Sequence, residues 1–262
     1  MARFCSLYSG SSGNSVFLGS AQTGVLVDAG VSARSIVSAL ESKSIKLESI
    51  KAVFITHEHI DHIKGLNVLL KRLKVPVFGS KETLEYLLQN NCVPCDADLN
   101  EITGKISVGD IEAECFDTPH DSLHSLGYRF ILPDERKIAV ATDLGHISDE
   151  VRQKLRGCDM VMLEANYDEQ MLYQSNYPYY LKRRIKSETG HLSNNDCADQ
   201  IISLVKNGTT RFVLGHLSKE NNRPQLAYQT IFNALSACGF IHNSDYTLEV
   251  ASRHQPGELT VF

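Results

Sequence analysis

The sequence shows few of the features that would be expected of a segment carried into or across a membrane. Its opening, MARFCSLYSGSSGNSVFLG, has no apolar core of roughly 7–15 residues behind basic ones, so no secretory leader is expected. No window approaches the roughly 18 consecutive apolar residues of a membrane span. Internal repeats, low-complexity tracts and proline-rich linkers are absent as well. Cysteine is present seven times, an odd number, which suits reduced thiols in a cytoplasm better than a paired disulfide framework. Cys92-Val-Pro-Cys95 has no second C-x-x-C and no thioredoxin-like surroundings, which weighs against a zinc ribbon or a redox motif. An excess of positive charge is also missing: 26 Lys and Arg face 31 Asp and Glu, a net charge of −5. That argues at first against a polyanionic partner. Two bound divalent cations would bring the total to about −1, so the local distribution of charge decides the question.

What is present is an ordinary globular composition, 42% hydrophobic and 22% charged over 262 residues, enough to bury a substantial core. A single domain over residues 1–262 is expected. Short strands and turns open it, at residues 3–7, 16–18 and 24–27, followed by a helix over residues 32–43 with Ile36, Val37 and Leu40 on one face. Ala52-Val53-Phe54-Ile55 reads as a buried strand, and Ile63, Leu66, Leu69, Leu70 and Leu73 recur at helical spacing behind it. Residues 106–142 alternate and turn as an antiparallel run does. The second half continues with a strand at residues 160–163, a helix opened by Ser193-Asn194-Asn195-Asp196, the strand RFVLGH, a helix from Pro224 and a last strand, YTLEVA. Strands with interspersed helices in both halves predict an α/β fold of two sheets flanked by helices.

Between the buried strand and its helix lies THEHIDH. His57 and His59 are two apart, so in extended chain they point to one side. Asp61 and His62 follow where the chain turns. The spacing H-x-H-x-D-H offers two imidazoles to one metal and a carboxylate with an imidazole to a neighbour, a donor set suited to Zn²⁺, with Mn²⁺ or Fe²⁺ also accommodated. Three later residues of the same character each follow an apolar strand: His120 in FDTPHDS, Asp143 in IAVATDLG and His216 in RFVLGHLS. Together these seven suffice for two metals bridged by one carboxylate.

This succession resembles the metallo-β-lactamase fold superfamily, whose first motif is matched by Asp28-Ala29-Gly30. The resemblance covers residues 3–250 and implies an αββα sandwich of two mixed β-sheets with flanking helices. It also implies that His57, His59 and His120 hold one metal, that Asp61, His62 and His216 hold the second, and that Asp143 bridges them. Two divalent ions against Asp61, Asp143 and a bridging hydroxide nucleophile leave about +1, which favours an anionic phosphodiester in the transition state. The stretches SGSSGNS, ATDLG, LEANYD, YLKRRI…GHLSN and GHLSKENNRPQLA are similar to the YycJ/WalJ (VicX) branch, which implies a DNA exonuclease acting from the 5′ end. Tyr167 departs from that pattern, in which histidine often follows Glu-Ala/Ser-Asn. The 73-residue step from Asp143 to His216 is too short for the cap domain inserted in RNase J-type nucleases. The 46 residues after His216 leave no room for the helical domain of glyoxalase II-like thioesterases.

The remaining candidates each carry two readings. Lys182, Arg183, Arg184 and Lys186, preceded by Tyr177, Tyr179 and Tyr180, form either a phosphate track with stacking aromatics or a solvated helix face over core tyrosines. His191 and Ser193 adjoin them, where His191 is a candidate catalytic residue beside Asp61 and the helix N-terminus at Ser193 can take an anion. His146 is a candidate cleft residue; His124, His242 and His254 read as ordinary surface or loop positions. The loop of residues 9–15 is a tight turn or a support for the metal site. The main alternative to a nuclease is a metal-dependent hydrolase of a small ester, thioester or lactone, with a closed apolar pocket in place of a basic groove.

Overall fold

A computed structural model describes residues 1–262. It contains two mixed seven-stranded sheets flanked by helices, the architecture expected from the sequence. The first sheet is built from β1 (Arg3–Tyr8), β2 (Ser15–Gly19), β3 (Gly24–Val27), β4 (Ile50–Phe54), β5 (Val77–Gly79) and β6 (Leu99–Glu101), with the chain's last strand, β14 (Thr260–Val261), on the outer side of β1. The second contains β7 (Lys105–Val108), β8 (Ile111–Asp117), β9 (Leu126–Ile131), β10 (Lys137–Ala141), β11 (Met160–Glu164), β12 (Arg211–Gly215) and β13 (Thr247–Val250), in the order β13-β12-β11-β10-β9-β8-β7. Pairing is parallel from β3 through β6 and from β10 through β13. It is antiparallel among β14, β1, β2 and β3 and between β7 and β8. The antiparallel run expected over residues 106–142 opens with the β7–β8 pair, and its last strand, β10, is parallel to its next neighbour, β11.

Two compact units arise from this chain: Met1–Cys115 with Ser122–Arg136 and Ser252–Phe262, and Phe116–Asp121 with Lys137–Ala251. Each has its own core. In the first, α1 (Ala33–Ser42) is opened by Ser32, whose hydroxyl accepts from Ser35 N, and buries Ile36, Ala39 and Leu40. The helix expected behind THEHIDH is two pieces, α2 (Ile60–Ile63) and α3 (Leu66–Leu73), separated at Lys64-Gly65. α4 (Lys81–Gln89) follows, capped by Ser80. In the second unit lie α5 (Asp149–Leu155), α6 (Glu169–Gln174), α7 (Tyr179–Ile185), α8 (Asn194–Lys206) and α9 (Pro224–Ala237). Ser193 caps α8 by accepting from Asp196 N, and Pro224 begins α9, where its missing N–H costs nothing. All seven cysteines are free. No helix is long and apolar enough to cross a membrane.

Three strands end in non-glycine residues with left-handed backbone: Asp28 (φ 63°) behind β3, Asp143 (φ 60°) behind β10 and His216 (φ 53°) behind β12. Asp and His tolerate this region better than most side chains, yet it still carries strain of order 1 kcal/mol. Each of these residues bears a side chain of the site, so the strand ends are bent where the chemistry is.

Behind β4 the backbone is anchored by Tyr128, whose hydroxyl donates to the Ile55 carbonyl at 2.5 Å. Its ring packs edge-on against Phe54. Burial, helped by the Asp28 carboxylate, pushes the phenol well above its ordinary pKa. Tyr128→Phe leaves that carbonyl buried without its donor and should cost about 1–3 kcal/mol in urea denaturation. Because the folded phenol resists ionisation, its contribution is fully present below about pH 10 and is lost as pH rises further. The stability difference between the two proteins should therefore shrink in alkali.

Candidate metal centre

In the first unit, the segment behind β4 carries Thr56, His57, Glu58 and His59, and α2 turns Asp61 and His62 back beside them. His57 and His62 are fully buried. His57 Nε2 and His59 Nδ1 approach to 3.0 Å. Two imidazole nitrogens on one tetrahedral zinc, at the usual bond length, are separated by about 3.3 Å, so the pair already has the bite of a chelate. His62 is held by Asp28. Its Nδ1 lies 2.7 Å from Asp28 Oδ2, and the same carboxylate accepts from Thr56 N at 2.8 Å. A carboxylate can only accept, so Nδ1 carries the proton and Nε2 keeps its lone pair, 3.6 Å from Asp61 Oδ2. Asp28 is thus an orienting group and not a ligand.

The loop of residues 9–15 supports this arrangement. Asn14 N donates to the Asp61 carbonyl at 2.8 Å, Gly30 N donates to the Asn14 carbonyl at 2.7 Å, and Asn14 Nδ2 sits 3.1 Å from His62 Nε2. Gly30 is required here for closeness: a β-carbon on it would lie 1.6 Å from the Asp61 carbonyl oxygen. Glu58, between the two histidines, accepts from Leu123 N at 3.0 Å and so ties down the segment that leads to β9.

In the second unit, parallel strands bring three acceptors and donors to one edge. Asp143, Glu164 and His216 stand at the C-terminal ends of β10, β11 and β12, with Glu164 directly beside Gly215 in the ladder. Open α/β sheets gather functional groups at this edge. Asp143, Glu164, His191 and His216 each present a donor atom within 4.8 Å of the others. Glu164 is fully buried, has no histidine, cysteine or other carboxylate within three positions of it in the sequence, and organises the group. Its Oε1 lies 2.8 Å from His216 Nδ1 and 2.9 Å from His191 Nδ1, while Oε2 accepts from Leu144 N at 2.8 Å and Leu192 N at 3.1 Å. Burial alone would raise its pKa, but the His191 and His216 imidazoles outweigh that and hold the carboxyl well below the usual range. His216 Nδ1 is also 3.3 Å from Asp143 Oδ1. His120 donates from Nδ1 to the Gly190 carbonyl at 3.0 Å, which turns Nε2 to within 3.7 Å of Asp143 Oδ1. Burial lowers the His120 pKa and favours the neutral imidazole that a metal requires.

The structure thus brings His57, His59, Asp61 and His62 together in one unit, and His120, Asp143, His191 and His216 in the other. Imidazoles oriented by a carboxylate or carbonyl on one nitrogen, with the other turned towards neighbouring donor groups, are the donor chemistry of divalent transition metals. The basic segment is less uniform than its sequence. Lys182 Nζ donates to the carbonyls of Tyr173 and Ser175, both at 2.7 Å, and Arg184 forks onto Asp121, with Nη2 2.9 Å from Oδ1. Ser193 is buried, and its hydroxyl accepts from Asp196 N at 3.1 Å. Arg183 and Lys186 are the exposed cations of this segment that line an open cavity. Tyr167 is buried against Leu172 and Ile185, and burial pushes its phenol pKa up, so it cannot supply the acid–base function of a histidine near neutrality. His146 is exposed and bonds the Glu188 carbonyl at 2.9 Å. His124 lies beside Glu82, and His242 joins a cluster with Tyr228, Phe232 and Tyr246.

A fold of two mixed sheets with oriented His and Asp donors at their strand ends defines a class, and the chain belongs to it: the beta-lactamase superfamily domain matches residues 23–217. The protein is a metal-dependent hydrolase of that superfamily. It is 34% identical over 253 residues to exodeoxyribonuclease YycJ of Bacillus anthracis, across 92% of this chain and 95% of that one. It is 37% identical over 238 residues to exodeoxyribonuclease WalJ of Streptococcus pneumoniae serotype 2, across 89% and 88%. The crystal structure of the metallo-beta-lactamase fold protein YhfI from Bacillus subtilis matches with a TM-score of 0.73 over 98% of both chains, at 13% identity, which is a likeness of fold.

Proposed function

We propose that this hydrolase is an exodeoxyribonuclease that degrades DNA from the 5′ end with two divalent ions, zinc by preference. In this reading His57, His59 and His120 would hold one ion and Asp61, His62 and His216 the other, with Asp143 as a further ligand. When bound, such ions lower the pKa of water towards neutrality and draw charge from the scissile phosphate. The rest falls to side chains. Asp28 and Glu164 keep His62 and His216 in one tautomer, so that each offers a lone pair without rearrangement. His191 lies outside the ligand set. With Nδ1 committed to Glu164, its protonated form presents Nε2–H, the proton a departing oxygen needs. Arg183 and Lys186 are the cations left for backbone phosphates, since Lys182, Arg184 and the Ser193 hydroxyl are engaged within the fold. A reducing cytoplasm suits the free thiols.

The observation that supports this reading most is the likeness, over nearly the full length of both chains, to two relatives named exodeoxyribonucleases. Metal analysis of the pure protein, followed by digestion of 5′- and 3′-labelled single- and double-stranded DNA, tests it. Release of mononucleotides from the 5′ end is expected; turnover of small esters or thioesters without DNA cleavage would replace it by the alternative hydrolase. Asp61 is only partly buried. Asp61→Ala should therefore stay folded while losing one metal equivalent and at least about a hundredfold in activity. Full activity in that variant would remove Asp61 from the site.

A further inference from the structure

α6 and α7, joined by a tyrosine-rich turn, enclose an open cavity of about 690 Å³ whose walls include Leu172, Tyr173, Tyr177, Tyr179, Arg183 and Lys186. Its aromatic lining is unusual for a surface. Tyr173 and Tyr179 are 83% and 81% exposed, and exposed rings grouped around a concavity are more informative than rings scattered singly. The cavity is also cationic: Lys182, Arg183 and Lys186 face one carboxylate, Glu169, which already accepts from Asn195 Nδ2 at 3.2 Å. The bonds from Lys182 to the Tyr173 and Ser175 carbonyls hold the turn against α7, so the walls are fixed before anything binds.

This cavity is coupled to residues of the candidate centre within the same unit. Arg184, on α7, grips Asp121, the neighbour of His120. His191 N donates to the Ile185 carbonyl at 2.9 Å, and Gly190, next to it, accepts from His120 Nδ1. From Ser187 on the cavity rim to His191 the chain has four steps, a span of at most about 14 Å.

We propose that this cavity is a subsite for an unpaired nucleobase of single-stranded DNA, with the rings of Tyr173 and Tyr179 against the base and Arg183 and Lys186 against the flanking phosphates. The proposal rests on the nuclease reading and adds to it the form of the substrate. Bases inside a duplex are stacked and paired, and their faces cannot meet a tyrosine; a free strand end can. Stacking accepts any base, which suits an enzyme that must move along a strand of arbitrary sequence.

The test uses the full chain, freed of metal by chelation so that no cleavage occurs, and a fluorescein-labelled ten-nucleotide oligothymidylate followed by anisotropy. Tyr179→Ala should weaken binding about tenfold, and Tyr179→Phe, which keeps the ring face, should restore it to within about twofold. An oligonucleotide of the same length with abasic sites should bind the wild type and Tyr179→Ala alike. Arg183→Ala should lower the slope of log affinity against log salt by about 0.7 on both oligonucleotides. Unchanged binding by Tyr179→Ala, or an equal loss on the abasic strand, overturns the subsite. If metal-loaded wild type digests labelled DNA while the tyrosine variants bind as it does, only the subsite falls. If the wild type neither binds nor digests DNA, the nuclease reading falls with it.

Discussion

Replacing Glu164 by alanine should lower DNA cleavage by at least about two orders of magnitude and stability by roughly 3–5 kcal/mol. The expectation follows from what the carboxylate holds. Two imidazoles and two backbone N–H groups converge on its two oxygens, and the side chain is fully buried. Alanine leaves those donors around a void that lacks an acceptor. His216 and His191 would then be free to rotate or to change tautomer, so metal retention and proton delivery fail together. Glu164→Gln keeps the volume but must turn an N–H₂ group towards either the imidazoles or the backbone donors. It should recover part of the stability and little of the activity. Urea denaturation and a labelled-DNA assay separate the two effects. An alanine variant with wild-type turnover would show that the histidines are held by other means.

Gly30→Ala should be nearly as damaging, although the change adds a single carbon. The new β-carbon would lie 1.6 Å from the Asp61 carbonyl oxygen and 2.6 Å from Asn14 N, both backbone atoms that cannot swing aside. Relief requires the Asp61 turn to shift outward, which breaks the Asn14 N to Asp61 carbonyl bond and moves His62 off Asp28. Overpacking of this kind costs about 1–3 kcal/mol, a modest fraction of stability. Displacement of ligand side chains by even about an ångström is far more serious for function. The variant should fold, melt a few degrees lower, and hold about one metal equivalent fewer than the wild type in elemental analysis. Full metal content in the folded variant would mean that the turn absorbs the carbon without moving Asp61.

The two predictions differ in how visible their residues are in the sequence. THEHIDH announces itself because donors at short spacing follow an apolar run, and strand geometry alone puts His57 and His59 on one side. Asp143 and His216 are legible once that cluster is known, each being a lone polar residue at the end of a buried strand. Glu164 ends MVMLE in the same way. A single glutamate after an apolar run has no partner in sequence, however, and its partners, Leu144, Leu192, His191 and His216, come from three other segments. The basic stretch misleads in the opposite direction. Four cations crowd residues 182–186, but Lys182 and Arg184 serve internal carbonyls and Asp121, which no charge count reveals. α6 and α7 are short and rich in tyrosine, so periodicity gives little sign of them. β14 is invisible for a simpler reason: two residues carry no pattern.

That last strand bears on how the chain reaches its fold. β14 pairs with Arg3 and Phe4 of β1, Ala2 and Phe262 exchange backbone hydrogen bonds at 2.9 and 3.1 Å, and Gly257 N donates to Ser6 O at 2.9 Å. β1 is therefore flanked on one side by residues that lie about 250 positions after it in the chain. Until they arrive, β1 is an open edge with unpaired backbone groups, able to template other strands. Closing it joins segments about as far apart as the sequence allows, the kind of contact that forms slowly because the loop must be ordered first. The first sheet, whose β4 leads into the histidine cluster, thus keeps an open edge until β14 docks, and the segment that carries β14 acts as the seal on it.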